Sequence, residues 1–219
     1  MVDVLERLGC EIDFPERQTC CGQPAFNSGF RDEARDVAAY FLDVFRSAEY
    51  VVIPSGSCAA MIKHHYAELF AADAKLLLEA NTMARKTYEF SQFLTAVLGV
   101  EDVGARFPHR VTYHDSCHAL RELHAKHAPR KLLGQVRDLQ LVEMDIAEEC
   151  CGFGGTFSVK FPGVSAAMAN TKVNSIERSG AEYVVSVDSS CLMNIEGTLR
   201  RRGHAARTIH LAEVLAHRE

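Results

Sequence analysis

The chain has 219 residues, of which 47% are hydrophobic and 24% charged, and its formal net charge is −5. This composition is typical of a globular protein, and the negative charge gives no reason to expect nucleic acid binding. No apolar run approaches the roughly 20 residues of a membrane span, and the acidic, amphipathic start is unlike a secretory signal. We therefore expect a cytoplasmic protein, in which eight cysteines favour metal or redox chemistry over structural disulfides.

Helical and strand patterns alternate along the chain. In the first half they predict helices at residues 2–8, 31–47, 59–70 and 88–98, strands at 11–14 and 50–53, and either type at 74–80. In the second half they predict strands at residues 111–114, 139–143, 183–187 and 208–210, and helices at 129–135, 164–179, 192–202 and 211–217. This order predicts an α/β fold with parallel strands and covering helices, and with ligand sites beyond the strand C-terminal ends.

The sequence contains two copies of one plan. Ala-Glu-Tyr-Val-Val occurs at residues 48–52 and again at 181–185, and each copy is followed by a serine-rich turn and a cysteine, Cys58 or Cys191. Cys-Cys-Gly likewise begins at Cys20 and again at Cys150. We predict two homologous repeats, at residues 1–100 and 108–219. The first is expected to be incomplete at its N-terminus, because the counterpart of Cys117 would precede Met1.

Four cysteines of the second repeat come from three loops that the fold places at one edge of the sheet. They are Cys117, Cys150, Cys151 and Cys191. Four thiolates suit zinc or an iron–sulfur cluster. Structural zinc usually takes cysteine pairs spaced by two to four residues, whereas adjacent cysteines can reach different irons of one cluster. The glycines after Cys151 would let the backbone approach a bulky group closely.

The first repeat offers only three of these thiols, Cys20, Cys21 and Cys58, and Cys10 is expected to be an ordinary core or surface thiol. His114 and His118 flank Cys117. We expect both to be structural histidines with hydrogen-bond partners, and a role beside the cluster as a donor or proton carrier is the alternative.

The cysteine motifs resemble those of the cysteine-rich (CCG) domain family. The matching segments are Cys20-Cys21-Gly22, the Ser-Gly-Ser-Cys run ending at Cys58, His-Asp-Ser-Cys-His at 114–118, Cys-Cys-Gly-Phe-Gly-Gly at 150–155 and Ser-Ser-Cys at 189–191. The family includes a component of heterodisulfide reductase and the iron–sulfur subunit of glycolate oxidase, and the similarity is greatest to its short two-repeat members that serve lactate utilization. The fuller family pattern ends each repeat in Cys-x-x-Cys. Here Ser55 and Asp188 stand at the first of those positions, and a solvated carboxylate is expected at Asp188.

The resemblance implies a [4Fe–4S]-type cluster bound by Cys117, Cys150, Cys151 and Cys191, and a less complete site at Cys20, Cys21 and Cys58. It also implies an electron-transfer subunit of a complex that oxidises L-lactate to pyruvate together with other iron–sulfur protein subunits. Hydride chemistry is expected on another subunit, because no Gly-x-Gly-x-x-Gly follows a predicted strand. A thiol/disulfide reductase of heterodisulfide-reductase type, a non-catalytic zinc-binding interaction protein and glycolate as the substrate remain alternatives. No catalytic residue is assigned.

Overall fold

Helices and short strands alternate through the computed structural model, which describes residues 1–218. The strands are β1 (Val51–Ile53), β2 (Thr87–Glu89), β3 (Arg110–Tyr113), β4 (Gln140–Leu141), β5 (Tyr183–Ser186) and β6 (Arg207–His210). The helices of the first half are α1 (Val2–Arg7), α2 (Gln23–Asn27), α3 (Arg31–Val44), α4 (Gly56–Ala60), α5 (Tyr66–Leu69), α6 (Ala74–Lys86) and α7 (Phe90–Gln92), with π-helical turns at Met61–His65 and Phe93–Val97. Those of the second half are α8 (Cys117–Arg121), α9 (His127–Gly134), α10 (Thr156–Lys160), α11 (Pro162–Ser179), α12 (Ser189–Arg201) and α13 (Leu211–Ala216).

The strands of residues 1–218 form two sheets, and every pairing in them is parallel. One sheet has the order β1-β2, and the other has the order β4-β3-β5-β6. Parallel strands need crossover connections, and the helices between them supply these. The predicted α/β class, with parallel strands and covering helices, is confirmed.

The two sheets are built from related units. β1 pairs with β2 as β5 pairs with β6. Thr-Tyr-Glu-Phe at residues 87–90 corresponds to Thr-Ile-His-Leu at 208–211, and each segment ends its strand and starts a helix. Within the described residues the first sheet has no counterparts of β3 and β4. The two-repeat arrangement is thus present in the structure, whereas the boundaries 1–100 and 108–219 stay a prediction.

Two predicted elements of the first half differ from the structure. Residues 11–14 form no strand, and Phe14 is 67% exposed. Alternating apolar residues there have no neighbouring strand to pair with. The segment predicted as a helix at 88–98 begins inside β2. The segment 74–80, for which the sequence allows either a helix or a strand, lies in the helix α6. None of the helices within residues 1–218 combines the length and apolar character that a bilayer crossing requires.

The two halves share one hydrophobic core. Ala59 and Phe90 of the first half pack in the same cluster as Val111, Ala119 and Val185 of the second. The helices α4 and α8 approach so closely that a Cβ on Gly56 would lie 2.5 Å from the Cβ of Ala119. Because α4 carries Cys58 and α8 begins at Cys117, this contact fixes the position of one cysteine motif relative to the other.

Candidate metal centre

The four cysteines of the second repeat meet beyond the C-terminal ends of the central strands. Cys117 starts α8 just after β3, Cys191 lies in the first turn of α12 just after β5, and Cys150 and Cys151 lie in the loop between β4 and α10. The pKa of Cys150 responds to the thiols of Cys117 and Cys151, and the pKa of Cys151 responds to that of Cys191, so the four sulfurs lie near one another. The structure thus brings the four predicted site residues into one pocket.

The contacts among these thiols favour a negative charge on Cys150. Interaction with the thiols of Cys117 and Cys151 lowers the pKa of Cys150, and the N–H of Gly152 donates to its sulfur at 3.3 Å. The pKa values of Cys117 and Cys151 are raised, chiefly because their thiols are in contact with the sulfur of Cys150. A thiolate is the form of cysteine that binds metals, so the pocket already favours one metal-binding sulfur.

The backbone of the Cys-Cys-Gly loop requires glycine at position 152. Gly152 has φ +86°, and a Cβ there would lie 2.6 Å from the carbonyl oxygen of Ser165. The matching Gly22 has φ +84°, and its Cβ would lie 3.3 Å from the carbonyl oxygen of Ala34. The loop of Gly152 therefore lies tightly against α11, and the loop of Gly22 lies against α3. Both glycines adopt a backbone conformation that L-residues rarely adopt.

A buried polar face of α11 holds the segment that leads to the cysteines. Ser165 Oγ donates to the carbonyl of Gly152 at 2.7 Å, and Ser175 Oγ accepts from the N–H of Ile146 at 3.3 Å. Lys172, which is fully buried, donates to the carbonyl of Ile146. The residues 131 positions earlier on α3 are all apolar and buried, namely Ala34, Phe41 and Val44. On α3 a different polar side chain holds the corresponding segment, since Tyr40 Oη donates to the carbonyl of Arg17 at 2.8 Å, but α3 has no buried polar face like that of α11.

His114, at the end of β3, faces the same pocket. The side chain is fully buried, and neither ring nitrogen has a hydrogen-bond partner among the described residues. Burial lowers the pKa of His114 to about 3, so the imidazole is neutral. A ring nitrogen of His114 and the sulfurs of Cys151 and Cys191 all lie within 4.8 Å of one another. The predicted structural histidine with partners is therefore wrong for His114.

His118 lies at the rim of the pocket and is half-buried. Its Nδ1 is 3.5 Å from the sulfur of Cys117, and its Nε2 is 3.7 Å from a carboxylate oxygen of Glu122. This histidine has partners, as the sequence predicted.

The chain is similar to known proteins over nearly its whole length. The sequence profile of the cysteine-rich domain (CCG) matches residues 1–63 and 111–196. The chain belongs to the CCG family. It is 52% identical over 217 residues to lactate utilization protein A of Geobacillus thermodenitrificans, which covers 99% of this chain and 90% of that protein. Proteins of the same name from Anoxybacillus flavithermus and Oceanobacillus iheyensis are 50% and 49% identical, with 99% and 100% of this chain and 91% and 89% of theirs covered.

The first CCG repeat brings together two of its three predicted site residues. Cys21 donates to the sulfur of Cys58 at 3.2 Å, which lowers the pKa of Cys58 to about 7. Cys20 is exposed, and its sulfur accepts from the N–H of Gly22 at 3.4 Å. Cys10 packs against the core shared by the two halves. The first CCG repeat thus has a close dithiol pair and a third thiol open to solvent.

Asp188 joins the two CCG repeats. Its carboxylate accepts from Ser55 Oγ at 2.8 Å, from Ser57 Oγ at 2.8 Å and N–H at 3.2 Å, and from Ser116 Oγ. The side chain is only 1% exposed, so the predicted solvated carboxylate is wrong. Three helix starts, those of α4, α8 and α12, converge on this one buried anion, whose charge suits helix N-termini.

Sequence reasoning missed two features of the CCG site, the unpartnered His114 and the buried polar face of α11. The sequence shows the motif His-Asp-Ser-Cys-His at 114–118, but a histidine three positions before a cysteine does not reveal whether it has partners. The signal for α11 was available, because aligning the repeats sets Lys172 against Phe41. A charged residue at a core position of a helix is uncommon and indicates a specific partner.

Proposed function

We propose that Cys117, Cys150, Cys151 and Cys191 bind an iron–sulfur cluster of the [4Fe–4S] type and that the protein is an electron-transfer subunit in the oxidation of L-lactate to pyruvate. One observation carries the proposal: four thiols from three separate loops share a partly buried pocket. Four cysteine thiolates are the usual ligand set of such a cluster.

The residues of the pocket fit a group larger than a single ion. Adjacent cysteines such as Cys150 and Cys151 are ill suited to one tetrahedral ion, whereas the irons of a cluster lie a few Å apart. The unpartnered imidazole of His114 gives the buried pocket a further donor for such a group. A bound cluster would accept and release one electron at a time. Phe153, which packs beside Cys151 and Cys191, limits the access of water.

A role in lactate utilization is supported by the names of the relatives at about half identity over nearly the whole chain. Oxidation of L-lactate to pyruvate releases two electrons and two protons. We assign the removal of these from lactate to another subunit, and to this chain only the transfer of electrons. Other iron–sulfur protein subunits are the proposed partners, with glycolate as the alternative substrate.

The experiment is quantitation of iron and sulfide in protein purified without oxygen, together with electron paramagnetic resonance. We expect about four irons per chain if only the second repeat binds a cluster, and about eight if the first repeat does so through Cys20, Cys21 and Cys58. Cys151→Ser should lose the iron of the second site, whereas Cys10→Ser, which changes a thiol in the shared core, should keep it. Colourless wild-type protein with neither iron nor sulfide would refute the proposal.

A zinc-binding interaction protein is the second candidate, because the mixed nitrogen and sulfur donors of His114, Cys151 and Cys191 also suit zinc. Metal analysis of the same preparation distinguishes the two, since zinc brings neither sulfide nor visible absorbance.

The close pair Cys21 and Cys58 favours a third candidate, a thiol/disulfide reductase. Dithiol activity that is lost in Cys58→Ser while the iron content of the protein stays unchanged would support it.

A further inference from the structure

The position of His114 is fixed by its backbone. Its N–H donates to the carbonyl of Val185 at 2.8 Å, and its carbonyl accepts from Ser186 Oγ at 3.0 Å, so the residue extends the pairing of β3 with β5. Side chains alternate along a strand. Tyr113 packs in the core shared by the two repeats, and His114 therefore projects from the opposite face, toward Cys151 and Cys191.

The imidazole of His114 is costly where it lies. A buried polar group without a hydrogen bond costs about 1–3 kcal/mol, and this ring has two such nitrogens. Other histidines of the described chain have partners: His65 contacts Glu122 at 3.1 Å, and His109 contacts Glu182 at 2.8 Å. A buried ring whose nitrogens make no well-aligned hydrogen bond with the described residues has a lone pair available to another partner in the pocket.

Two other side chains near the pocket that could bind a metal, Asp188 and His118, already have partners within the protein. The carboxylate of Asp188 receives its hydrogen bonds from Ser55, Ser57 and Ser116, and His118 lies at the rim between Cys117 and Glu122. Two ligand atoms on one tetrahedral metal lie roughly 3.5 Å apart, given typical metal–nitrogen and metal–sulfur bond lengths. The ring nitrogen of His114 lies within 4.8 Å of the sulfurs of Cys151 and Cys191, so a shift of about an ångström would let it bind an iron that one of these cysteines holds.

We propose that His114 is a nitrogen ligand of the metal centre that Cys151 and Cys191 help to bind, an inference that rests on the proposed cluster. One ring nitrogen donates its lone pair to iron, and the other keeps the proton of the neutral imidazole. A neutral ligand leaves the centre less negative than a thiolate in the same place would, and histidine ligation raises the reduction potential of an iron–sulfur centre. His114 thereby sets the potential at which the protein exchanges electrons.

The test is pulsed electron paramagnetic resonance on the reduced, anaerobically purified protein labelled with ¹⁵N-histidine. We expect the strong hyperfine coupling of a directly bound nitrogen in the wild type and its loss in His114→Leu. His109→Gln, which changes a partly exposed histidine just before the same strand, is the matched control and should keep the coupling. His114→Cys should retain the iron and lower the midpoint potential, because it replaces a neutral ligand with a thiolate.

The outcomes separate this inference from the proposed function. A wild-type cluster that shows only the weak coupling of a hydrogen-bonded or distant nitrogen overturns the ligand role of His114 and leaves the electron-transfer proposal standing. The wild-type measurement does not depend on whether a variant folds. A wild-type protein with neither iron nor sulfide refutes the proposed function, and this inference with it.

Discussion

Replacing Asp188 by asparagine should strongly destabilise the protein. The carboxylate accepts four hydrogen bonds, from three serine hydroxyls and one backbone N–H. An asparagine of nearly equal size turns one acceptor oxygen into a donor, so one or two of the four bonds are lost. A hydrogen bond to a charged group contributes about 1.5–3 kcal/mol, and we therefore expect a loss of about 2–5 kcal/mol in the free energy of unfolding.

Urea unfolding followed by far-ultraviolet circular dichroism measures this loss, since the chain has no tryptophan for fluorescence. With an m-value of about 2–3 kcal/mol/M, the midpoint of Asp188→Asn should fall by roughly 1–2 M. The matched control is Asp145→Asn. It breaks an exposed ion pair with Arg178 at 3.0 Å, and we expect a change of at most about 0.5 kcal/mol. Equal midpoints for the two variants would show that the buried carboxylate does not hold the repeats together.

Three further predictions concern single residues. Gly152→Ala should cost about 3–5 kcal/mol, since it combines a positive φ with a clash against backbone, whereas Gly180→Ala, with φ +64° and only a side-chain atom at 4.0 Å, should cost about 1–2 kcal/mol. Burial raises the pKa of Glu89 to about 7, so the folded protein binds a proton that the unfolded chain releases. Stability should therefore fall by ~3 kcal/mol as the pH rises from about 4.5 to about 7, and Glu89→Gln should abolish this dependence. Lys172→Met should lower the midpoint potential of the bound cluster, because it removes a buried cation.

Each of these predictions has a result that contradicts it. Similar urea midpoints for the two glycine variants would mean that the contact at Gly152 relaxes without cost. If the unfolding midpoint of Glu89→Gln fell over the same pH range as that of the wild type, the pH dependence of stability would come from groups other than Glu89. If Lys172→Met kept its full iron content and an unchanged midpoint potential, Lys172 would have only the structural role of holding the cysteine loop.

Local patterns predicted the long elements well. The spacing of apolar residues predicted α3 and α11, and the apolar run at residues 183–187 predicted β5. Short elements were less accessible, because β2 has only three residues and pairs with a strand distant in sequence. Its signal was the likeness of residues 87–90 to 208–211, which the repeat comparison alone could reveal.

The sequence predicted the location of a site residue only where the order of strands and loops along the chain determined it. Cysteines that follow successive parallel strands must share one edge of a sheet, so the convergence of Cys117, Cys150 and Cys191 followed from the sequence. The burial of Asp188 did not, because the serines around it belong to both repeats and meet only when the halves pack together. The lack of partners at His114 is likewise a property of the folded pocket that no local pattern encodes.

The polar face of α11 has a consequence for how the protein acquires its metal. A loop tied down by Ser165, Lys172 and Ser175 has its shape before any inorganic group arrives, and pre-organisation of this kind lowers the entropy lost on binding. We therefore expect the second CCG repeat to be folded before it binds its metal centre. It should stay folded when a chelator removes the metal, and it should then be able to bind the metal again.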